Sequence, residues 1–200
     1  MNTHVNIKTK NRKGATHKDA HKANQILHVT TRSGRVTGAK VNRWRAHTTP
    51  GVKHLAFAIL VLNAKNEFVL HKRPKRKVGG GVLDTPVSHV LAGETKNQAM
   101  RRCLKEEYGF SPRAFKQMPG FSYEEHYADG TCENEFCLVS VVKHAGKFKP
   151  NPREVEGKLV FLQAKKALKE IRAHPKKYAI WFRLAIKRLA KNTRGKKLLR

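Results

Sequence analysis

The longest apolar run of the chain, Leu55 to Leu62, lies in the stretch HLAFAILVL that begins at His54. A membrane-spanning helix needs about 20 apolar residues, so a run this short belongs in a protein core. Its β-branched and aromatic content reads as a buried strand. Asn63-Ala64-Lys65-Asn66 then makes a turn, and Glu67 to Lys72 returns as a second strand. In 200 residues, a hydrophobic share of 39% is enough for one packed core with chain to spare.

Other segments assemble around that pair. Gln25 to Lys40 reads as a hairpin at the domain edge, with Ser33-Gly34 at its turn, and Val78-Gly79-Gly80-Gly81 is a loop. Gly93-Glu94 opens a helical run to Tyr108, closed by Gly109, where a positive φ costs little. Met100, Leu104 and Tyr108 recur at i, i+4 and i+8, so one face of that helix meets the core. Further strands are expected at 115–123, 134–143 and 156–162, and helices at 163–172 and 177–192. This order predicts a mixed α/β sandwich.

The charge is strongly partitioned. The net charge is +29, yet 12 of the 14 acidic residues fall between Glu67 and Glu156. Residues 1–46 hold eleven Lys or Arg against Asp19, and residues 158–200 hold fifteen against Glu170. We therefore divide the chain into a basic flexible arm (1–24), a domain (25–172) and a basic C-terminal helix and tail partly packed on it (173–200). Such termini suit a polyanion, RNA or a ribonucleoprotein particle; the plainer alternative is that they only solvate the chain. Cys103, Cys132 and Cys137 are odd in number without CxxC spacing, and the N-terminus has no apolar signal region, so a soluble protein of the reducing cytoplasm is expected.

Gly93-Glu94, Arg102, Leu104, Glu106-Glu107 and Gly109-Phe110 resemble the Nudix box, G-x5-E-x7-R-E-U-x-E-E-x-G-U. Ser88 stands where the box has its first Gly, and Cys103 replaces the first Glu of its R-E-U-x-E-E segment. The resemblance implies a Nudix α/β/α sandwich. Carboxylates on one side of its helix would hold Mg²⁺, and Mg²⁺ would clamp a diphosphate. An isolated Glu-Glu pair would more often be a solvated helix face.

A closer resemblance covers residues 36–182. Val36-Thr37-Gly38, Arg45-Ala46-His47, His54-Leu55-Ala56-Phe57, Ser88-His89, Phe121-Ser122-Tyr123, Glu133-Asn134-Glu135, Glu154-Val155 and Trp181-Phe182 are similar, in order, to the type 1 isopentenyl-diphosphate isomerases, a Nudix branch. The resemblance implies one divalent metal, Zn, Mn or Fe, on His47, His54, His89, Glu133 and Glu135. It also implies Mg²⁺ held with the substrate diphosphate, with Glu107 as a ligand. Arg43, Arg73, Lys77 and Arg102 match its phosphate-binding cations, and Tyr123 and Trp181 the aromatic residues at the isoprenoid end of its pocket.

Moving a double bond requires protonation at one carbon and proton removal at another. In the family one partner is a Cys directly before the Ser/Gly-His pair, and the other is a metal-bound Glu assisted by a Tyr. Glu135 and Tyr123 match the second partner, while Val87 occupies the Cys position. Hydrolysis of a diphosphate asks only for a metal-bound substrate and water activated by Glu106, Glu107 or the metal. The sequence therefore favours hydrolysis over isomerisation. Two alternatives stand beside it: a non-catalytic Nudix-fold module for RNA or ribonucleoprotein, and an isomerase using another acid.

Overall fold

A computed structural model describes residues 22–199; the expected arm at 1–24 lies almost wholly outside them. The predicted buried strand is β3 (His54–Leu62), and every residue of it is buried. It is flanked on one side by β8 (Cys132–Lys143) in a continuous parallel ladder from His54↔Glu135 to Leu62↔Lys143. Its other side is shared by β1 (Ile26–Thr30), β4 (Glu67–Lys72) and β6 (Val87–His89), all antiparallel. The hairpin partner β2 (Val36–Asn42) pairs β1, β5 (Leu83–Asp84) and β9 (Glu156–Gln163) pair β4, and β7 (Lys116–His126) pairs β8.

Alternation along β3 explains the layers, because successive side chains leave opposite faces of a sheet. Leu55, Phe57, Ile59 and Val61 pack with Met100, Leu104 and Tyr108 of α2 (Lys96–Tyr108). Ala58, Leu60 and Leu62 pack with α3 (Ala164–Ala173) and α4 (Ile180–Lys191), including Trp181, Phe182 and Ile186. Burying one large apolar side chain is worth about 1.5–3 kcal/mol, so β3 holds both layers onto the sheet. The fold is the expected α/β/α sandwich. The basic C-terminal helix contributes its apolar face to the same core as β3. Among the described residues, no helix is long and apolar enough to cross a membrane, and the three cysteines are free and buried.

Several boundaries differ from expectation, each for a local reason. The helix begins at Lys96, after Gly93-Glu94, because Thr95 and Gln98 form a reciprocal capping box that satisfies the first free backbone N–H groups. Gly109 ends it at φ 74, as expected. Strands β7 and β8 extend to His126 and back to Cys132, since cross-strand pairing carries Glu124, Glu125 and Glu133 into the ladder despite their polarity. The last long helix starts at Ile180: Tyr178 is held in extended conformation and the Ala179 N–H donates to the Leu83 carbonyl. The segment from Leu83 to His89, to which the sequence assigned no element, supplies β5 and β6. Arg43–Ala46, not anticipated, forms a short helix α1.

His71 lies inside β4, 1% exposed, its Nδ1 3.0 Å from the Tyr108 hydroxyl. Burial, with Lys77 and Arg73 adding to it, lowers its pKa from 6.5 to about 3. Between those values the unfolded chain binds a proton that the folded chain does not, so stability falls as pH falls through this window. Replacing His71 with Gln should remove that dependence, up to about 1.4 kcal/mol per pH unit. Urea unfolding at pH 7 and pH 4.5 measures it, and an identical acid loss in H71Q and wild type would show that His71 does not contribute.

Candidate metal centre and diphosphate site

The register of β3 with its neighbours builds a cluster on the α4 face. Glu135 is paired with His54, and Glu133 lies two residues before it on the same face. His89, at the end of β6, faces Ala56 across β3. His47 follows α1, whose start is capped by Asn42 accepting from the Trp44 N–H. The three imidazole centroids lie 4.6 to 4.9 Å apart, all five residues are buried, and one ligand atom from each falls within 4.8 Å of all the others. The sequence named these five residues, and the fold converges them.

The hydrogen bonding fits a cation. His47 Nδ1 lies 2.8 Å from the Arg43 carbonyl and His54 Nδ1 2.7 Å from the Val52 carbonyl, so each Nδ1–H donates to backbone and each Nε2 keeps a bare lone pair. Those nitrogens face carboxylates, His47 Nε2 3.2 Å from Glu133 and His54 Nε2 3.3 Å from Glu135. His54 Nε2, His89 Nδ1 and Glu133 Oε2 have no hydrogen-bond partner among the described residues. Burial holds His47 and His89 well below the usual imidazole pKa, hence neutral. Burial, then the adjacent Glu135 carboxylate, pushes Glu133 well above the usual carboxylate range. Neutral imidazoles and crowded carboxylates with opposed lone pairs need a positive charge between them, and this mixed N/O set suits Zn²⁺, Mn²⁺ or Fe²⁺.

The cluster opens onto a cavity whose wall also carries Val87, Tyr123, Trp181, Arg43, Arg73, Lys77, Glu106 and Glu107, with the Arg73 guanidinium 4.9 Å from the Trp181 ring centroid. The Tyr123 hydroxyl donates to Glu135 Oε2 at 2.6 Å. Glu107, on the buried side of α2, is pushed up by burial to about 7, and its Oε2 has no hydrogen-bond partner among the described residues. A bound cation would draw that carboxyl back toward the ionised form. Glu106 stands at the more exposed rim, and Cys103 faces the cavity from the same helix. Val87 presents an alkyl group to the cavity.

Arg102 is not brought to the cavity wall. Its guanidinium grips Glu94 through bonds of 2.6 and 2.9 Å and donates to the His89 carbonyl at 3.1 Å. The Glu94 and Arg102 of the box thus tie helix α2 to strand β6 behind a metal-site histidine. Two carboxylates of the site had no stated part in the sequence reading. Asp84, fully buried, accepts from Arg73 at 3.1 Å and from the Trp181 indole N–H at 2.6 Å, orienting a cation and an aromatic residue together. Glu154 accepts from Lys77 at 2.7 Å and from Lys22 at 2.8 Å. A lone Asp in Asp84-Thr85-Pro86 carries no period or spacing that marks it; only burial beside Arg73 does.

Residues 52–182 match the NUDIX domain, and the chain belongs to that family. Within it, the chain is 31% identical over 159 residues to an isopentenyl-diphosphate Delta-isomerase of Haloarcula marismortui, covering 74% of this chain and 82% of the relative. It is 32% identical over 147 residues to that of Halobacterium salinarum, covering 69% and 67%. Among solved structures, a Deinococcus radiodurans protein aligns with TM-score 0.61 at 18% identity, covering 82% of this chain and 98% of that one. A MutT NUDIX hydrolase of Burkholderia pseudomallei aligns at 0.55 and 18% identity, covering 68% and 97%. These structural likenesses bear on the fold alone.

Metal binding should stabilise this fold by mass action, about 2.7 kcal/mol when free metal is 100 times the dissociation constant. Chelation of the purified protein is expected to lower its melting temperature, with Zn²⁺ or Mn²⁺ restoring it. His54→Ala should abolish the restoration and reduce bound metal measured by elemental analysis. Full metal content in both H54A and E135Q would rule out the five-residue centre.

Proposed function

We propose that this chain is a metal-dependent Nudix enzyme acting on a diphosphate-containing small molecule, and that it hydrolyses the diphosphate rather than isomerising an attached alkene. Val87 carries the choice between the two reactions. On β6 it packs against the apolar layer under α4 and lines the cavity beside Tyr123 and Trp181. A valine can neither give nor take a proton. General acid–base help is typically worth about 10²–10⁴ in rate, and Val87 offers an alkene none of it.

For hydrolysis, the chain's own groups divide the work. Arg43, Arg73 and Lys77 neutralise and orient the phosphate oxygens. His47, His54, His89, Glu133 and Glu135 would hold one divalent ion, and Glu107 a Mg²⁺ accompanying the diphosphate. The metals supply charge neutralisation and Lewis acidity at the phosphoryl group. Glu106 or Glu107 takes the proton of the attacking water as its oxygen bonds to phosphorus, while the bridging oxygen departs with the leaving group. Arg102 keeps α2 in place against β6.

A second reading, isomerisation with another acid, is favoured by the Tyr123–Glu135 hydrogen bond of 2.6 Å and by the isomerase relatives. A third, a non-catalytic module for RNA or ribonucleoprotein, draws only on the basic termini.

Incubation of the full chain with isopentenyl diphosphate and with nucleoside diphosphate compounds, in the presence of Mg²⁺ and Mn²⁺, separates these readings. We expect phosphate or pyrophosphate release without dimethylallyl diphosphate from wild type, and isomerisation in V87C raised by at least about 10²-fold. Dimethylallyl diphosphate formed by wild type at the V87C rate would overturn the hydrolytic assignment. No turnover of any diphosphate by a metal-loaded protein would remove both enzymatic readings.

A further inference from the structure

The cavity wall includes a lysine that precedes the first strand, Lys22. Its backbone is anchored: the Lys22 carbonyl accepts from the Gln25 N–H, and the next residue's carbonyl, on Ala23, accepts from the Trp44 N–H of α1. Helix α1 is the element that carries Arg43 into the cavity and ends at His47. The segment carrying Lys22 is therefore docked on the same support as a predicted phosphate ligand and a metal ligand.

Glu154 holds the lysine in place. One carboxylate oxygen accepts from Lys22 Nζ at 2.8 Å and the other from Lys77 Nζ at 2.7 Å, so a single buried carboxylate bridges the two ammonium groups. Its pKa is drawn down to about 2: burial opposes this, and Lys77 and Lys22 overcome it. Glu106 lies 3.9 Å from the Lys22 ammonium, beyond hydrogen-bond reach. An ammonium has three donors, and Glu154 uses one, leaving others for a ligand oxygen. Glu154 thus holds two ammonium groups on the wall of one cavity, 2.8 and 2.7 Å from its oxygens.

We propose that Lys22, oriented by Glu154, is a further anion-binding residue of the diphosphate site, so that the segment preceding β1 completes the pocket. The inference rests on the diphosphate reading above. It predicts that Lys22 contributes to binding and leaves the chemical step unchanged, lowering KM for the diphosphate without altering kcat.

The probe is inorganic pyrophosphate with Mg²⁺, titrated calorimetrically into the full-length metal-loaded protein. Lys22→Met should weaken binding about tenfold, the size of one hydrogen bond between charged groups. Lys22→Arg should restore most of it, which a purely structural anchor would not require. Lys65→Met removes the same charge from an exposed turn outside the cavity and should leave affinity unchanged. Equal affinity in K22M and wild type, or equal losses in K22M and K65M, would overturn the assignment of Lys22 and leave the diphosphate reading intact. A wild-type protein that binds no pyrophosphate overturns both.

Discussion

The parallel ladder between β3 and β8 is the constraint on which the rest depends. Parallel neighbours cannot be joined by a tight turn; here β8 arrives only after α2 and β7 have been threaded between. Once its register is set, nine residue pairs are fixed together, and the first places Glu135 on His54. Because side chains alternate with period two, a one-residue slip would turn Glu133 and Glu135 to the α2 face and send Asn134 and Phe136 to the metal side. The apolar pairs further along, Leu60 and Val61 against Val141 and Val142, oppose any such slip. The core thus holds the ligands in register.

That arrangement is costly without a cation. Buried polar atoms left without a partner cost about 1–3 kcal/mol each, and the centre has several, among them His54 Nε2 and Glu133 Oε2. The cost is concentrated where five residues from α1, β3, β6 and β8 meet. A metal ion would convert the same opposed lone pairs into bonds and join the strand ends. Around Trp181 the polar groups are paired within the chain: Asp84 accepts from both Arg73 and the indole N–H.

The chain's strong basicity has a specific local expression in this site. Arg43, Arg73, Lys77 and Lys22 gather at one cavity, and each has an acceptor within the fold. Glu154 screens Lys22 and Lys77 from one another and Asp84 neutralises Arg73, which holds acids near a site proposed to take an anion. Arg102 is the counterexample: it belongs to the recognisable box, yet its guanidinium is spent on Glu94 and the His89 carbonyl, fixing helix to strand.

Local pattern made much of the fold legible before any coordinates. The unbroken apolar run of HLAFAILVL, the i, i+4, i+8 face of Met100, Leu104 and Tyr108, and Gly109 at the helix end are all decided within a few residues of one another. The five residues of the candidate metal centre, and the departure at Val87, were named from the likeness of their types and order to a family's; that the five meet was decided by the fold. Features that depend on distant pairing were not. Polar residues 124–126 became strand through their partners across the ladder, and DTPVSH became β5 and β6 because β4 and β3 offered edges. Lys22 and Glu154 meet across 132 positions, and Asp84 and Trp181 across 97. The sequence by itself determined the periodicities and the chemical types available. The tertiary structure alone decided which charges became partners, because electrostatic pairing follows distance in space, and distance in space is set by how the sheet closes.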